Sequence, residues 1–301
     1  MAGNVYHSWN GTVLTITSDS GTSSANLKGD DGARGAQGAA GGTCYEVCVA
    51  PTNLLDNSYF INPINQRGQA EYTGSGYTID RWRTWENGTI TLTNEGIKGD
   101  GTQASVLYQP IESYKIKVNK TYTVAAGYSD GTIVCQSGVY IVGEGGGLGI
   151  GNEDTHVFLG DDGNGTPVLR LWHATKIIQW VAIYEGEYTL ETLPPYNHKG
   201  YAAELMECQR YYRKHITYNL SGISTVAGWA AFGYDYTSMR TTPTVTADIE
   251  GLYYSITKAT EVTNLSARAK PASEIICATA NLPAGTICMI RFNIIELSAD
   301  L

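Results

Sequence analysis

Between Gly29 and Thr43 the chain reads GDD GAR GAQ GAA GGT, with glycine at 29, 32, 35, 38 and 41. A strict three-residue glycine period is what a collagen-like triple helix requires. Three polyproline II-like chains wind about one axis, and only glycine fits at that crowded axis. Gly29, Gly32, Gly35, Gly38 and Gly41 are therefore assigned to the axis, and the assignment constrains everything else. It requires a homotrimer, and it makes residues 29–43 a rod with something at each end. A flexible Gly/Ala linker would need no such period. At about 3.1 Å per residue the rod spans roughly 45 Å. None of its five triplets contains proline, so it is weak alone. Lys28 and Asp30 flank Gly29, but an exposed ion pair between neighbouring chains is worth only about 0–1 kcal/mol. The rod is a spacer, and trimerisation falls to the segments around it.

The 301 residues are enough for two ordinary domains. A formal net charge of −9 argues against a nucleic-acid partner, which needs clustered Lys and Arg. No apolar run approaches the ~20 residues of a membrane-spanning helix, so no membrane insertion is expected. Met1 to Trp9 has neither the basic nor the apolar region of a secretory signal. The expectation is synthesis in a host cytoplasm and exit by another route, as part of a particle. Of six cysteines, only Cys44 and Cys48 are close in sequence. They could form interchain disulfides where three chains converge, or stay reduced in a cytoplasm. Cys135, Cys208, Cys277 and Cys288 sit in apolar or helical context and read as buried thiols.

Residues 1–28 read as a short N-terminal attachment segment. Val5–Trp9 and Thr12–Thr17 flank Asn10-Gly11, the dipeptide preferred in type I′ hairpin turns. Ser18 to Asn26 is Ser/Thr/Gly-rich and expected to be extended or loose. After the rod and a linker at 44–52, residues 53–193 show short β-like runs between turn signals at Asn87-Gly88, Asp100-Gly101, Asp130-Gly131, Asp162-Gly163 and Asn164-Gly165. That spacing is the sandwich pattern, and its length suits a jelly roll of eight or nine strands. Gly143 to Gly151 lacks the Gly-Lys-Ser/Thr of a phosphate loop and reads as a mobile rim loop. Residues 194–215 hold a helix over about Tyr201–Lys214, with Tyr201, Leu205, Cys208 and Tyr212 on one face. It is expected to form a three-helix neck on the trimer axis, the alternative being that it packs on its own sandwich. Residues 216–301 read as a small C-terminal β-sandwich tip. Its last run, Thr286–Ile295, is expected to be a central strand buried on both faces. The fold class is thus mainly β.

Three motifs carry a resemblance: Asn53-Leu54-Leu55-Asp56-Asn57, Asn62-Pro63-Ile64-Asn65-Gln66-Arg67-Gly68, and Gly76-Tyr77-Thr78-Ile79-Asp80-Arg81-Trp82. With Glu204-Leu205 and Cys208-Gln209-Arg210-Tyr211-Tyr212 they resemble the jelly-roll module and following helix of tail-fibre and appendage proteins of phages that infect Gram-positive gut bacteria. The resemblance covers about residues 53–214, and residues 1–43 look like the foot-plus-collagen start of phage fibres. It implies a trimeric virion structural protein with a carbohydrate-binding-module-like sandwich.

No Gly-x-Ser-x-Gly elbow or His-Glu-x-x-His is present, and the five histidines are scattered. The chain is not expected to be an enzyme, nor to need a cofactor or metal. Asp161-Asp162-Gly163-Asn164-Gly165 could be a partial calcium loop but reads more simply as a turn. Saccharides need aromatic faces ringed by amides, carboxylates and hydroxyls. Tyr72, Tyr77, Trp85 and Tyr108, near Asn87, Gln103 and Gln109, are sandwich candidates. Trp229, Tyr234 and Tyr236, near Asp235 and Arg240, are tip candidates. Trp82, Trp172 and Trp180 read as core. For each aromatic, packing or a trimer interface is the competing role. The expectation is a virion fibre that attaches to a particle protein by its N-terminus and adheres to host surface polysaccharide. The alternative is a head-decorating fibre with weak surface or mucus binding. A bacterial collagen-like adhesin is a third reading, against which stands the missing leader.

Overall fold

A computed structural model describes residues 4–28, 51–85, 88–101, 106–143, 147–151, 156–172, 175–226, 229–232, 239–241, 243–254, 257–258, 266–270, 274–278, 285 and 287–299. The collagen-like glycines, Cys44 and Cys48 lie outside the described residues. The chain divides into two compact units, Met1–Val49 and Ala50–Leu301.

In the first unit, β1 (Tyr6–Asn10), β2 (Val13–Ser18) and β3 (Gly21–Asn26) form an antiparallel sheet in that order. Gly11 takes φ +60 in the β1–β2 turn, the left-handed conformation a type I′ turn demands. The stretch expected to be loose is the third strand. The hydroxyls of Thr15 and Ser24, and of Thr22 and Thr17, hydrogen-bond across it. Register places Trp9, Leu14 and Ala25 in one row and His7, Ile16 and Ser23 in the next, all on one face. The other face carries Tyr6 and Val13 among Thr, Ser and Asn. None of the described residues of this sheet is buried.

The second unit opens with twelve strands. They are β4 (Glu71–Thr73), β5 (Gly76–Tyr77), β6 (Arg83–Trp85), β7 (Thr89–Thr93), β8 (Gly96–Gly99), β9 (Val106–Pro110), β10 (Thr121–Tyr128), β11 (Ile133–Val139), β12 (Leu148–Gly151), β13 (His156–Asp161), β14 (Pro167–Trp172) and β15 (Ile178–Glu185). Two six-stranded antiparallel sheets result, ordered β11-β10-β15-β8-β7-β4 and β12-β13-β14-β9-β6-β5. One core fills the space between them, with Tyr122, Val124, Val181 and Ile183 from the first sheet and Leu107, Val157, Leu159, Leu169 and Leu171 from the second. This is a β-sandwich. It has more strands than expected because short segments such as Gly76–Tyr77 and Leu148–Gly151 pair at the edges. Leu148–Gly151 lies in the glycine-rich stretch expected to be a rim loop.

The helix α1 spans Tyr201–Cys208 and stops well short of Lys214. Helix propensity in Gln209–Lys214 is overridden by tertiary contacts. Tyr211 is drawn against Arg81, and Tyr212 already pairs with Ser298 in a sheet. Tyr201, expected on the packed seam, is exposed. The helix packs on its own sandwich, where the Asn57 backbone N–H donates to the Glu204 carboxylate.

Beyond it come β16 (Tyr212–Val226), β17 (Trp229–Phe232), β18 (Thr244–Tyr254), β19 (Thr257–Lys258), β20 (Ser266–Lys270), β21 (Glu274–Ala278) and β22 (Ile287–Ser298). Among the described residues the tip is one five-stranded sheet, β17-β16-β22-β18-β19, with a separate β20–β21 pair. β22 is central as expected. Its burial alternates, however: Cys288, Ile290 and Phe292 are buried, while Met289 and Arg291 are only half-buried. One face carries the packed cluster with Leu220 and Leu252. Cys208 and Cys288 are buried thiols and Cys135 is half-buried. Burial pushes the Cys208 thiol well up, which keeps it protonated and inert.

Candidate functional site: an aromatic sheet face above a buried joint

The motif residues meet at one place, and it is a joint. Asn57, at φ +51, donates its amide to the carbonyls of Ile64 and Asp80 and accepts from the Ile64 N–H. The Trp82 indole donates to the Asn57 carbonyl at 2.8 Å, so Trp82 is core as expected. Asp80 accepts from Gln66 and pairs with Arg67 at 3.5 Å. Gln66 also donates to the Tyr212 carbonyl, and Arg67 lies 3.7 Å over the Tyr212 ring. Arg81, fully buried and in the left-handed region at φ +73, pairs with Asp56 at 3.2 Å and lies 3.5 Å over Tyr211. The N–H groups of Arg240 and Ala299 donate to the carbonyls of Arg210 and Tyr211. Sandwich, helix and tip sheet are thereby fastened to one another.

Electrostatics at the joint pull in two directions. Burial alone would raise the Asp56 carboxyl, but Arg81, Lys115 and Lys199 outweigh it and hold Asp56 below its ordinary value. Burial dominates at Glu204 and raises its carboxyl, against the Asn57 N–H and Lys199. Between the unfolded Glu value of about 4.3 and that raised value, the native state binds more protons than the unfolded one. Stability from Glu204 is therefore present at low pH and lost as pH rises through the window. A Glu204→Gln chain keeps an acceptor for the Asn57 N–H and avoids the desolvated charge. Its Tm is expected to exceed the parent's by about 2–4 °C at pH 7.5, equivalent to ~1 kcal/mol for a unit of this size, and to converge with it near pH 4. A parent that stays ahead at pH 7.5 would reverse the sign assigned to Glu204.

Ionisable groups of the joint, Lys199 and Glu204 among them, line a shallow recess at its surface. The outer face of the second sheet is different. Residues alternating with its core positions form two rows across the strands. One runs His156, Trp172, Val106, Trp85. The other runs Phe158, Arg170, Tyr108, Arg83, Tyr77. Phe158 and Trp172 stack with ring centroids 5.8 Å apart, and Trp85 and Tyr108 are tilted at 5.6 Å. The Arg83 guanidinium lies 5.2 Å from both the Tyr77 and Tyr108 rings. Val106, Tyr108, Val168 and Trp172 form a small cluster of their own, separate from the sandwich core. Trp85 stands 49% exposed at its edge.

Glycines make room for this face. A Cβ on Gly147 would lie 1.6 Å from Phe158 Cζ, and one on Gly149 or Gly160 would lie 2.7 Å from the same ring. The Phe158 ring thus rests in a slot that three side-chain-free positions leave open. This accounts for the glycines in and beside the strand Leu148–Gly151.

Of the expected sugar-binding residues, Tyr77, Trp85 and Tyr108 lie together on this face. Tyr72 does not. It sits opposite Ile90 in the first sheet, buried in the core, with its hydroxyl on Asn65. Gln109 also points inward, accepting from the Asp56 N–H and donating to the Asp56 carbonyl. Trp172 and Trp180, expected in the core, are half-buried on outer faces. Trp180 stacks on Tyr196 at 4.5 Å. Trp229 lies in β17, while Asn87, Gln103, Tyr234, Asp235 and Tyr236 lie outside the described residues. Phe158, Trp172, Arg83 and Arg170 were missed, although the alternation Val-Leu-Arg-Leu-Trp in β14 contained the signal. Asp161 and Asp162 form a plain turn. Their carboxylates accept from the N–H groups of Gly143, Gly163, Asn164 and Thr166.

Comparison with protein-family models, with curated proteins and with solved structures found no match to the chain. The fold and the site stand on their own geometry.

Proposed function

We propose that the chain is the subunit of a homotrimeric virion fibre, with residues 29–43 as a collagen-like spacer, and that the outer face of the second sheet binds saccharide. The observation that carries the binding reading is the two-row face itself. Trp85, Trp172 and Phe158 offer ring surface for sugar C–H groups, with the buried Tyr108 ring backing Trp85, and Arg83 and Arg170 offer donors for oxygens. A buried joint that fixes helix and tip suits a part that must project a surface without flexing. Three copies on a rod would turn weak single sites into useful avidity.

Trp85 is the residue to remove, because half of it faces solvent and its loss leaves the core intact. Central aromatic contacts of a binding site cost about 2 kcal/mol or more on truncation, which is roughly 30-fold in affinity. Trp85→Ala is expected to weaken binding to a panel of neutral and acidic polysaccharides by that factor, with Tm unchanged within a degree or two. Unchanged binding would move the site off this face. No binding by the parent protein to any glycan would end the adhesion reading.

A further inference from the structure

Arg83 and Arg170 stand on either side of Tyr108, each its direct register partner. Neighbouring strands are about 4.8 Å apart, so the two arginines, one strand to either side of Tyr108, stand roughly 10 Å apart, a span of about two sugar rings. Among the described residues neither forms an ion pair with a carboxylate. Arg170 donates to the main-chain carbonyl of Asp161, and Arg83 Nε is buried with no hydrogen-bond partner. Of the nearest acidic side chains in sequence, Asp80 is taken by Arg67 and Gln66, Asp161 and Asp162 accept from turn N–H groups, and Glu86 lies outside the described residues. In a chain with 29 acidic against 20 basic residues, two uncompensated guanidiniums beside an aromatic platform need an account.

Packing supplies only part of one: the Tyr77 and Tyr108 rings hold the Arg83 guanidinium, but a ring contact leaves its Nε–H without an acceptor. The net charge of −9 does not forbid an anionic ligand either. At physiological salt, charges beyond about 8 Å are largely screened, so the local pair decides. A guanidinium fork matches a carboxylate in two parallel hydrogen bonds. We infer that the saccharide bound on this face carries carboxylates, as in a uronic-acid polymer. One ring stacks on Trp85, which the buried Tyr108 ring backs, while its acid group, or its neighbour's, takes Arg83 or Arg170. The inference rests on the saccharide reading above and narrows it to one chemical class.

The full-length protein should be titrated with polygalacturonate, alginate and hyaluronan, each beside its carboxyl-reduced or methyl-esterified counterpart. At least one acidic polymer is expected to bind at least tenfold more tightly than its neutral counterpart. That preference should fall at least tenfold between 0.05 and 0.5 M NaCl. It should also be lost in an Arg83→Gln/Arg170→Gln chain whose melting curve matches the parent's. Equal binding of acidic and neutral polymers, with Trp85→Ala still impaired, would overturn the charged class and leave the saccharide site standing. Binding indifferent to both Trp85→Ala and the arginine pair would overturn both. So would binding to none of the polymers, charged or neutral. An acidic preference untouched by the double substitution would overturn the assignment to Arg83 and Arg170.

Discussion

Asp56→Asn is expected to destabilise the Ala50–Leu301 unit by about 3–5 kcal/mol, the cost of leaving a buried charge without its partner. The substitution keeps the side chain's shape and removes only its charge. Arg81 then lies fully buried over Tyr211 with no carboxylate, and Lys115, at 2.9 Å from Asp56, faces it across the same site. Lys199 at 3.9 Å adds a third cation. The pH dependence has a definite sign. Asp56 titrates below its ordinary value in the folded chain, so its contribution is present above the unfolded value of about 3.9 and is lost as pH falls through the folded one. Parent and variant should therefore differ most at neutral pH and approach each other in acid. Urea unfolding at pH 7 and at pH 3, followed by tryptophan fluorescence, measures both differences. A loss below 1 kcal/mol at pH 7 would mean that the joint is solvated and does not hold helix and tip.

The same residues show what could be read in the sequence and what could not. Asp56, Asn57, Gln66, Arg67, Asp80 and Arg81 form a recognisable signature, but polar and charged side chains ordinarily sit outside. Nothing along the chain says that these six turn inward to satisfy one another. The sandwich itself was legible, because turn dipeptides and β-branched runs are local signals. The parity of each strand was not. In β9, Tyr108 points out and Gln109 points in, and that choice follows from register with β14 and β6, which a one-residue slip would invert. Tyr72 was misplaced for the same reason. Trp172 was misplaced because an alternating strand with apolar residues on both faces looks like a buried run. The glycines at 147, 149 and 160 gain their meaning only once Phe158 lies over them. The short helix fails differently. Its sequence favours continuing to Lys214, and the pull of Arg81 and Arg67 on two tyrosine rings ends it.

The largest effect outside the joint is expected in the N-terminal sheet. β1–β3 make a three-stranded sheet with no buried residue, about the smallest that persists alone, and cover on its more apolar face would add to its stability. Trp9 and Ile16 lie on it, 57% and 44% exposed. Only Leu27 and Lys28 separate β3 from Gly29, the first glycine of the repeat. Chains wound together from Gly29 onward would deliver three such faces to one another. Covering one large apolar side chain is worth about 1.5–3 kcal/mol, and Trp9→Ser with Ile16→Ser removes two per chain and six per trimer. Under mild trypsin or subtilisin treatment, cleavage within residues 4–28 is expected to accelerate at least tenfold in this variant, while the Ala50–Leu301 unit survives in both proteins. If both proteins are cut at the same rate, the apolar face lies in water in the free fibre. On the virion-fibre reading proposed above, its cover would then come from a particle protein rather than from sister chains. Protection of the parent only when bound to the particle would establish that source. Protection of the free parent, lost in the variant, would place part of the trimer's stability in the foot and leave the repeat the role of spacer.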